Sequence, residues 1–119
     1  KATGPADDAL AALTKLKLPK AAANELASLA QVVEKIRSAA ADLSLTVDPV
    51  ESRGLEYHSG VTFTIFSTGV RGELGGGGRY LAGSEDEPAT GMTLFMDSVL
   101  RAIAPAEAKK TLIPCQRDR

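Results

Sequence analysis

Three observations on the 119-residue sequence predict an α+β fold, an antiparallel β-sheet flanked by helices. Apolar residues recur every three or four positions through roughly the first third of the chain, then every second position from Leu43, and the helical rhythm returns between Leu94 and Ile103. No strand–helix–strand alternation of the kind a parallel sheet requires appears. The composition changes with the period: all 11 glycines but Gly4 fall between residues 54 and 91. The division that follows is a helical segment over 1–41 and an antiparallel sheet with a C-terminal helix over 42–119, together one partial domain.

In "PADDALAALTKLKLP", Asp7 or Asp8 can cap a short helix on which Leu10, Leu13 and Leu16 fall near one face, and Pro19 breaks it or opens the next. In "KAAANELASLAQVVEKIRSAAADL", Leu26, Leu29, Val33, Ile36 and Ala40 form a single helical stripe, with Glu25, Gln31, Glu34, Lys35 and Arg37 on the solvated faces. Leu43, Leu45 and Val47 then alternate with Ser44, Thr46 and Asp48, as in a half-buried strand closed by Pro49. "GVTFTIFSTG" is expected to be a central strand, turning at Ser67, Thr68 and Gly69 into "VRGEL" as an antiparallel hairpin. "GSEDEPATG" is expected to be a solvent loop, "GMTLFMDSVLRAIAP" to be mostly helical, and "TLIPC" to start another strand.

The chain is 44% apolar with 14 basic and 15 acidic side chains, an ordinary globular balance. Its scattered Lys and Arg form no basic stripe for a phosphate backbone, so no nucleic-acid partner is expected. No apolar run reaches the roughly 20 residues of a membrane-spanning helix. The lone Cys115 cannot form an internal disulfide and has no catalytic signature around it, which fits a reducing, cytoplasmic setting. His58 is the only histidine, and no HExxH or EF-hand spacing is present, so no metal site is expected.

Two clusters carry chemistry, "SRGLEYHSG" and "GELGGGGRY". Arg53 offers a planar fork of donors for a carboxylate or phosphate, and Tyr57 and His58 present polar heads on rigid rings. Gly76, Gly77 and Gly78 remove side chains where a ligand could meet the backbone. The glycine run lacks the Lys-Ser/Thr ending of a P-loop and opens no helix. Residue types alone leave two readings of these clusters: a ligand site, or a hairpin that needs glycine for a bulge, with Arg53 and Arg79 in surface ion pairs.

"RGLEYHSGVTFTIF", then "GGGGRY", then "PATGMTLFMDSVL" resemble, in that order, three linked signatures of the catalytic core of the histidyl-tRNA synthetase family of class II aminoacyl-tRNA synthetases. The resemblance implies a class II core fold and a histidine pocket. In that pocket Arg53 would reach the ligand carboxylate or adenylate phosphate, Tyr57 and His58 would stand where the family has paired tyrosines, and Gly76, Gly77, Gly78, Arg79 and Tyr80 would form the second signature. It also implies a loss. Phe95 stands where the family carries a glycine, and Ser98 where it carries the arginine that contacts the ATP triphosphate.

A kept amino-acid pocket with a lost ATP motif is similar to the synthetase-like regulatory subunits of ATP phosphoribosyltransferase. The implied function is non-catalytic, with no cofactor: activation of the short catalytic subunit, histidine feedback, and homo- and hetro-oligomers in the full-length form. Upstream and downstream parts of that protein are expected beyond this chain. The alternative is a catalytic-core fragment of a histidyl-tRNA synthetase, which activates histidine with ATP and charges tRNA.

Overall fold

A computed structural model describes residues 3–50 and 57–103; Arg53, Cys115 and the fragment 111–115 lie outside the described residues. In chain order the elements are β1 (Gly4–Pro5), α1 (Ala6–Leu13), α2 (Lys20–Ala39), β2 (Thr46–Val47), β3 (His58–Ile65), β4 (Gly75–Ala82), β5 (Glu87–Leu94) and α3 (Met96–Ala102). β1 pairs with β2, and the last three strands form an antiparallel sheet in the order β3-β4-β5.

Pro5 and Pro19 sit in extended backbone at the N-caps of α1 and α2, next to helix ends whose first N–H groups have no intrahelical partner. Neither helix takes a side-chain cap, so the expected capping by Asp7 or Asp8 does not occur. Both carboxylates lie in the first turn of α1, where the helix dipole favours negative charge. Asp7 accepts two hydrogen bonds from the Arg37 guanidinium of α2, at 2.6 and 2.8 Å. That fork joins the two helices.

Ala6, Ala9 and Leu13 of α1, Val33 of α2 and Val47 of β2 make the buried core, with Leu10, Leu26, Leu29 and Leu45 half-buried around it. The strand expected over 43–47 shrinks to two residues. Leu43 is exposed, and Ala6 N–H donates to Leu45 O at 3.0 Å, so the segment packs on the start of α1 and pairs with β1 rather than joining the larger sheet.

In that sheet β4 pairs with β5 without interruption from Gly75↔Leu94 to Ala82↔Glu87, and with β3 from Thr62↔Gly78 to Ile65↔Gly75. The partner of β3 is therefore the glycine stretch itself and not "VRGEL", and β4 is the central strand among the described residues. "VRGEL" lies in the connection, which closes through Leu74 N–H to Ile65 O at 2.7 Å and turns with Gly69 and Gly72 at φ of 82° and 94°. The expected solvent loop "GSEDEPATG" is a loop only as far as Asp86, because β5 begins at Glu87. The helix expected in "GMTLFMDSVLRAIAP" starts only at Met96, after β5 has used the residues up to Leu94.

Glycine disfavours strands, yet β4 starts with four glycines, and at Gly75 and Gly77 the neighbouring main chain admits nothing larger. A Cβ at Gly75 would run into the carbonyl oxygen of Thr93, and one at Gly77 into that of Gly91 while lying 2.8 Å from Met92 Cα. Side-chain preference loses here to close strand approach. No helix among the described residues is long and apolar enough to cross a membrane.

Candidate functional site

A cleft of about 800 Å³ separates α2 from the sheet. Its helical wall is Leu29, Val32, Val33 and Ile36, and its opposite wall includes Val61, Phe63, Met92 and Phe95. Tyr57, His58 and Tyr80 bring polar heads to its lining, and Gly76 and Gly77, opposite Thr64 and Phe63, contribute bare backbone to it. A more open depression of about 530 Å³ on α2, lined by Gln31, Glu34, Lys35, Ser38 and Ala39, contains no residue of either motif.

The three aromatic residues form one unit. Tyr57 stacks on Tyr80 with ring centroids 5.1 Å apart and planes 17° from parallel, and meets His58 edge-on at 5.3 Å and 78°. Both arrangements suit the quadrupoles of the rings. The register explains the assembly: His58 lies opposite Tyr80 across β3 and β4. Tyr80 also covers Gly91 of β5, where an added Cβ would sit 3.1 Å from its Cε1. Among the described residues no hydrogen bond engages the Tyr57 or Tyr80 hydroxyl or either nitrogen of His58, so these polar heads are open to a ligand.

The structure thus brings Tyr57, His58, Gly76, Gly77 and Tyr80 to one cleft. Gly78 and Arg79 fall outside its lining: Gly78 lies under His58 and Thr62, and Arg79 packs its stem 3.4 Å from where a Gly60 Cβ would be. Alternation along a strand sends Arg79 and Tyr80 to opposite faces. Arg53 is outside the described residues.

Sequence reasoning missed the helical wall and also Asp48 and Glu73, both of which line the cleft. The available signal was Val32, an apolar residue beside Val33 that widens the α2 stripe beyond what the small core uses. Asp48 Oδ1 accepts from Thr3 Oγ1 at 3.1 Å and from Val50 N–H at 3.0 Å, which fixes the backbone at the cleft edge. Among the described residues no group of three or more His, Cys, Asp or Glu side chains is placed to hold a metal ion.

At the end of β5, Phe95 N–H donates to Leu74 O at 2.8 Å and Phe95 turns into the cleft wall. Ser98 on α3 is buried, and its hydroxyl accepts from Arg101 Nη2 at 2.9 Å. A hydroxyl tied into its own helix supplies no cation to the cleft.

A family model described as Histidyl-tRNA synthetase matches residues 1–99. The chain belongs to the histidyl-tRNA synthetase family. Within reach of that family, the chain is 52% identical over 114 residues to an ATP phosphoribosyltransferase regulatory subunit of Rhodospirillum centenum, covering 95% of this chain. It is 54% identical over 119 residues to the protein of that name from Paramagnetospirillum magneticum, covering 99% of this chain, and 50% identical over 110 residues, 92% of this chain, to that of Gluconobacter oxydans. The chain spans 30%, 31% and 28% of the length of these three relatives. No solved structure matches it. The α+β architecture, with its antiparallel sheet and flanking helices, is that of a histidyl-tRNA synthetase-like domain.

Proposed function

We propose that the full-length protein carrying this chain is the non-catalytic regulatory subunit of ATP phosphoribosyltransferase in histidine biosynthesis. It binds histidine at the aromatic end of the cleft, activates the short catalytic subunit and takes part in feedback inhibition in the cytoplasm. Relatives named as such regulatory subunits support the reading. The observation that carries it is Ser98, a buried hydroxyl at the position where the resemblance expects an ATP-contacting arginine. Adenylyl transfer depends on cations that stabilise charge developing between phosphates, and a serine cannot supply one.

Histidine offers a carboxylate for the Arg53 fork and N–H groups for the polar heads of Tyr57, His58 and Tyr80. Transmission from this cleft to a separate catalytic subunit is a coupling free energy, so substrate binding there must alter histidine affinity here by the same factor. The test is to mix the full-length protein with the short catalytic subunit and follow phosphoribosyl transfer. The rate should rise, and histidine should lower it again; an unchanged rate sinks the regulatory reading. Formation of histidyl-adenylate from ATP and histidine by the full-length protein alone would instead favour the synthetase reading, which the family match keeps in view.

A further inference from the structure

The segment 44–48 forms one wall of the cleft: Ser44, Leu45, Thr46, Val47 and Asp48 all line it. Its backbone is held by little. The β1–β2 ladder has two residue pairs, Gly4↔Val47 and Pro5↔Thr46, and Pro5 has no N–H to give it. Asp48 adds what the ladder lacks. Its Oδ1 accepts from Thr3 Oγ1 at 3.1 Å, one step further along the same register, and from Val50 N–H at 3.0 Å across Pro49. One carboxylate oxygen thus ties the end of β2 to the N-terminal strand and closes a turn around a proline whose φ is already restricted.

This turn sits where the chain leaves the helical unit for the sheet. Val47, just before it, belongs to the helical core, and Tyr57, further along the chain, stacks on Tyr80. Asp48 therefore fixes the near end of a connection whose far end is the aromatic unit. Asp48 is exposed, and a surface hydrogen bond contributes little to global stability. A ligand, however, reads the position of a wall. If the binding arrangement is populated only part of the time, the apparent affinity falls by that fraction.

We propose that Asp48 is a positioning residue of the histidine site: its acceptor oxygen, rather than its charge, holds the 44–48 wall and the start of the connection towards Tyr57 in the arrangement that binds ligand. The proposal rests on the cleft being the histidine site and adds the group that keeps one wall of it in place.

Calorimetric titration of L-histidine into the full-length protein tests it, with Asp48→Ala, Asp48→Asn, Thr3→Val and Leu13→Ala alongside the unaltered protein, each also unfolded in denaturant to record its stability. Asp48→Ala loses both hydrogen bonds and should bind roughly tenfold more weakly. Asp48→Asn keeps a carbonyl oxygen for Thr3 and Val50 and should bind within about twofold of the unaltered protein. Thr3→Val removes one of the two bonds and should fall between them, about threefold weaker. Leu13→Ala separates positioning from plain stability: it should unfold more readily than Asp48→Ala and still bind within about twofold of the unaltered protein. An asparagine variant as weak as the alanine one overturns the positioning role, as does an Asp48→Ala protein that binds like the unaltered one. Affinity that falls in step with stability across Asp48→Ala and Leu13→Ala overturns it too, and each of these results leaves the histidine site standing. If Asp48→Ala does not fold, Thr3→Val decides: weaker binding than the unaltered protein supports the role, and equal binding overturns it. No histidine binding by the unaltered protein overturns the histidine site itself, and the role of Asp48 with it.

Discussion

The helical unit and the three-stranded sheet are stabilised in opposite ways. α1, α2 and β2 enclose a side-chain core of their own, of which Ala6 and Ala9 are almost wholly buried. The sheet contributes no residue to that core. Phe63, Met92 and Leu94 on its strands are 39%, 53% and 48% exposed, so the order of β3, β4 and β5 comes chiefly from backbone pairing and close approach. A side-chain core tolerates shape changes at a graded cost, whereas a backbone contact leaves no room to relax. The candidate site lies where these two regimes meet, with an apolar helical wall on one side and bare strand on the other.

The sharpest way to break the contrast is Gly77→Val in the full-length protein. Its branched side chain would have to displace Gly91 O and Met92 Cα, both main chain. A cost on the order of 3 kcal/mol or more is expected, falling on β4 and β5 while α1 and α2 stay folded. Hydrogen exchange should show amides of β5 losing protection and those of α2 keeping it; equal loss in both would mean that the two units unfold as one. Gly76→Ala is the milder companion, since its Cβ would lie 3.0 Å from Phe63 O alone. The proposed histidine response should vanish in the first variant for want of a sheet, so it cannot by itself report on ligand contact.

Next in size is Leu13→Ala in the helical core. Leu13 is 8% exposed, and truncating a leucine in such a setting removes burial and leaves a cavity, together roughly 2 to 4 kcal/mol. The same exchange experiment should now show the reverse pattern, with α1 and α2 weakened and the β4–β5 pair intact. A loss spread evenly over the sheet would erase the distinction between the two regions.

The contrast also explains which parts of the structure could be read from residues. α2 was legible because Leu26, Leu29 and Val33 face a real core, so their spacing carries the signal. Gly75, Gly76, Gly77 and Gly78 read as a strand kept bare, and they are one, but their pairing with β3 was not legible, because without side chains to alternate nothing in the stretch says which neighbour it takes. The turn signal at Ser67, Thr68 and Gly69 points to the adjacent "VRGEL" instead, whereas the connection runs on to Leu74 before the pairing begins. β5 was mistaken for loop and helix because Glu87, Pro88 and Ala89 have poor strand preference, and their pairing with Ala82, Leu81 and Tyr80 is decided across the sheet. Of the site, Tyr57, His58 and Tyr80 were legible as chemistry, but their stacking needed the register and the α2 wall needed the tertiary fold.

The smallest effect concerns the one ion pair that joins α1 to α2. The Arg37 fork holds the Asp7 carboxyl below its ordinary value near 3.8, chiefly by hydrogen bonding, and Arg37 is raised in return. A carboxyl depressed in the folded state contributes stability that is fully present above its unfolded value and is lost as the pH falls through the folded one. Asp7→Asn should therefore lower stability at neutral pH and make no difference once the medium is acid enough to protonate Asp7 in the folded protein. The matching contribution of Arg37 is lost only at strongly alkaline pH, so the acid limb is where the pair shows. Both side chains are exposed, so the effect should be small and should fade in molar salt. Asp7 also sits in the first turn of α1, where any negative charge is favoured. Repeating Asp7→Asn in an Arg37→Gln background separates the two causes: a loss that survives there belongs to the helix dipole, and a loss that disappears belongs to the link between the helices.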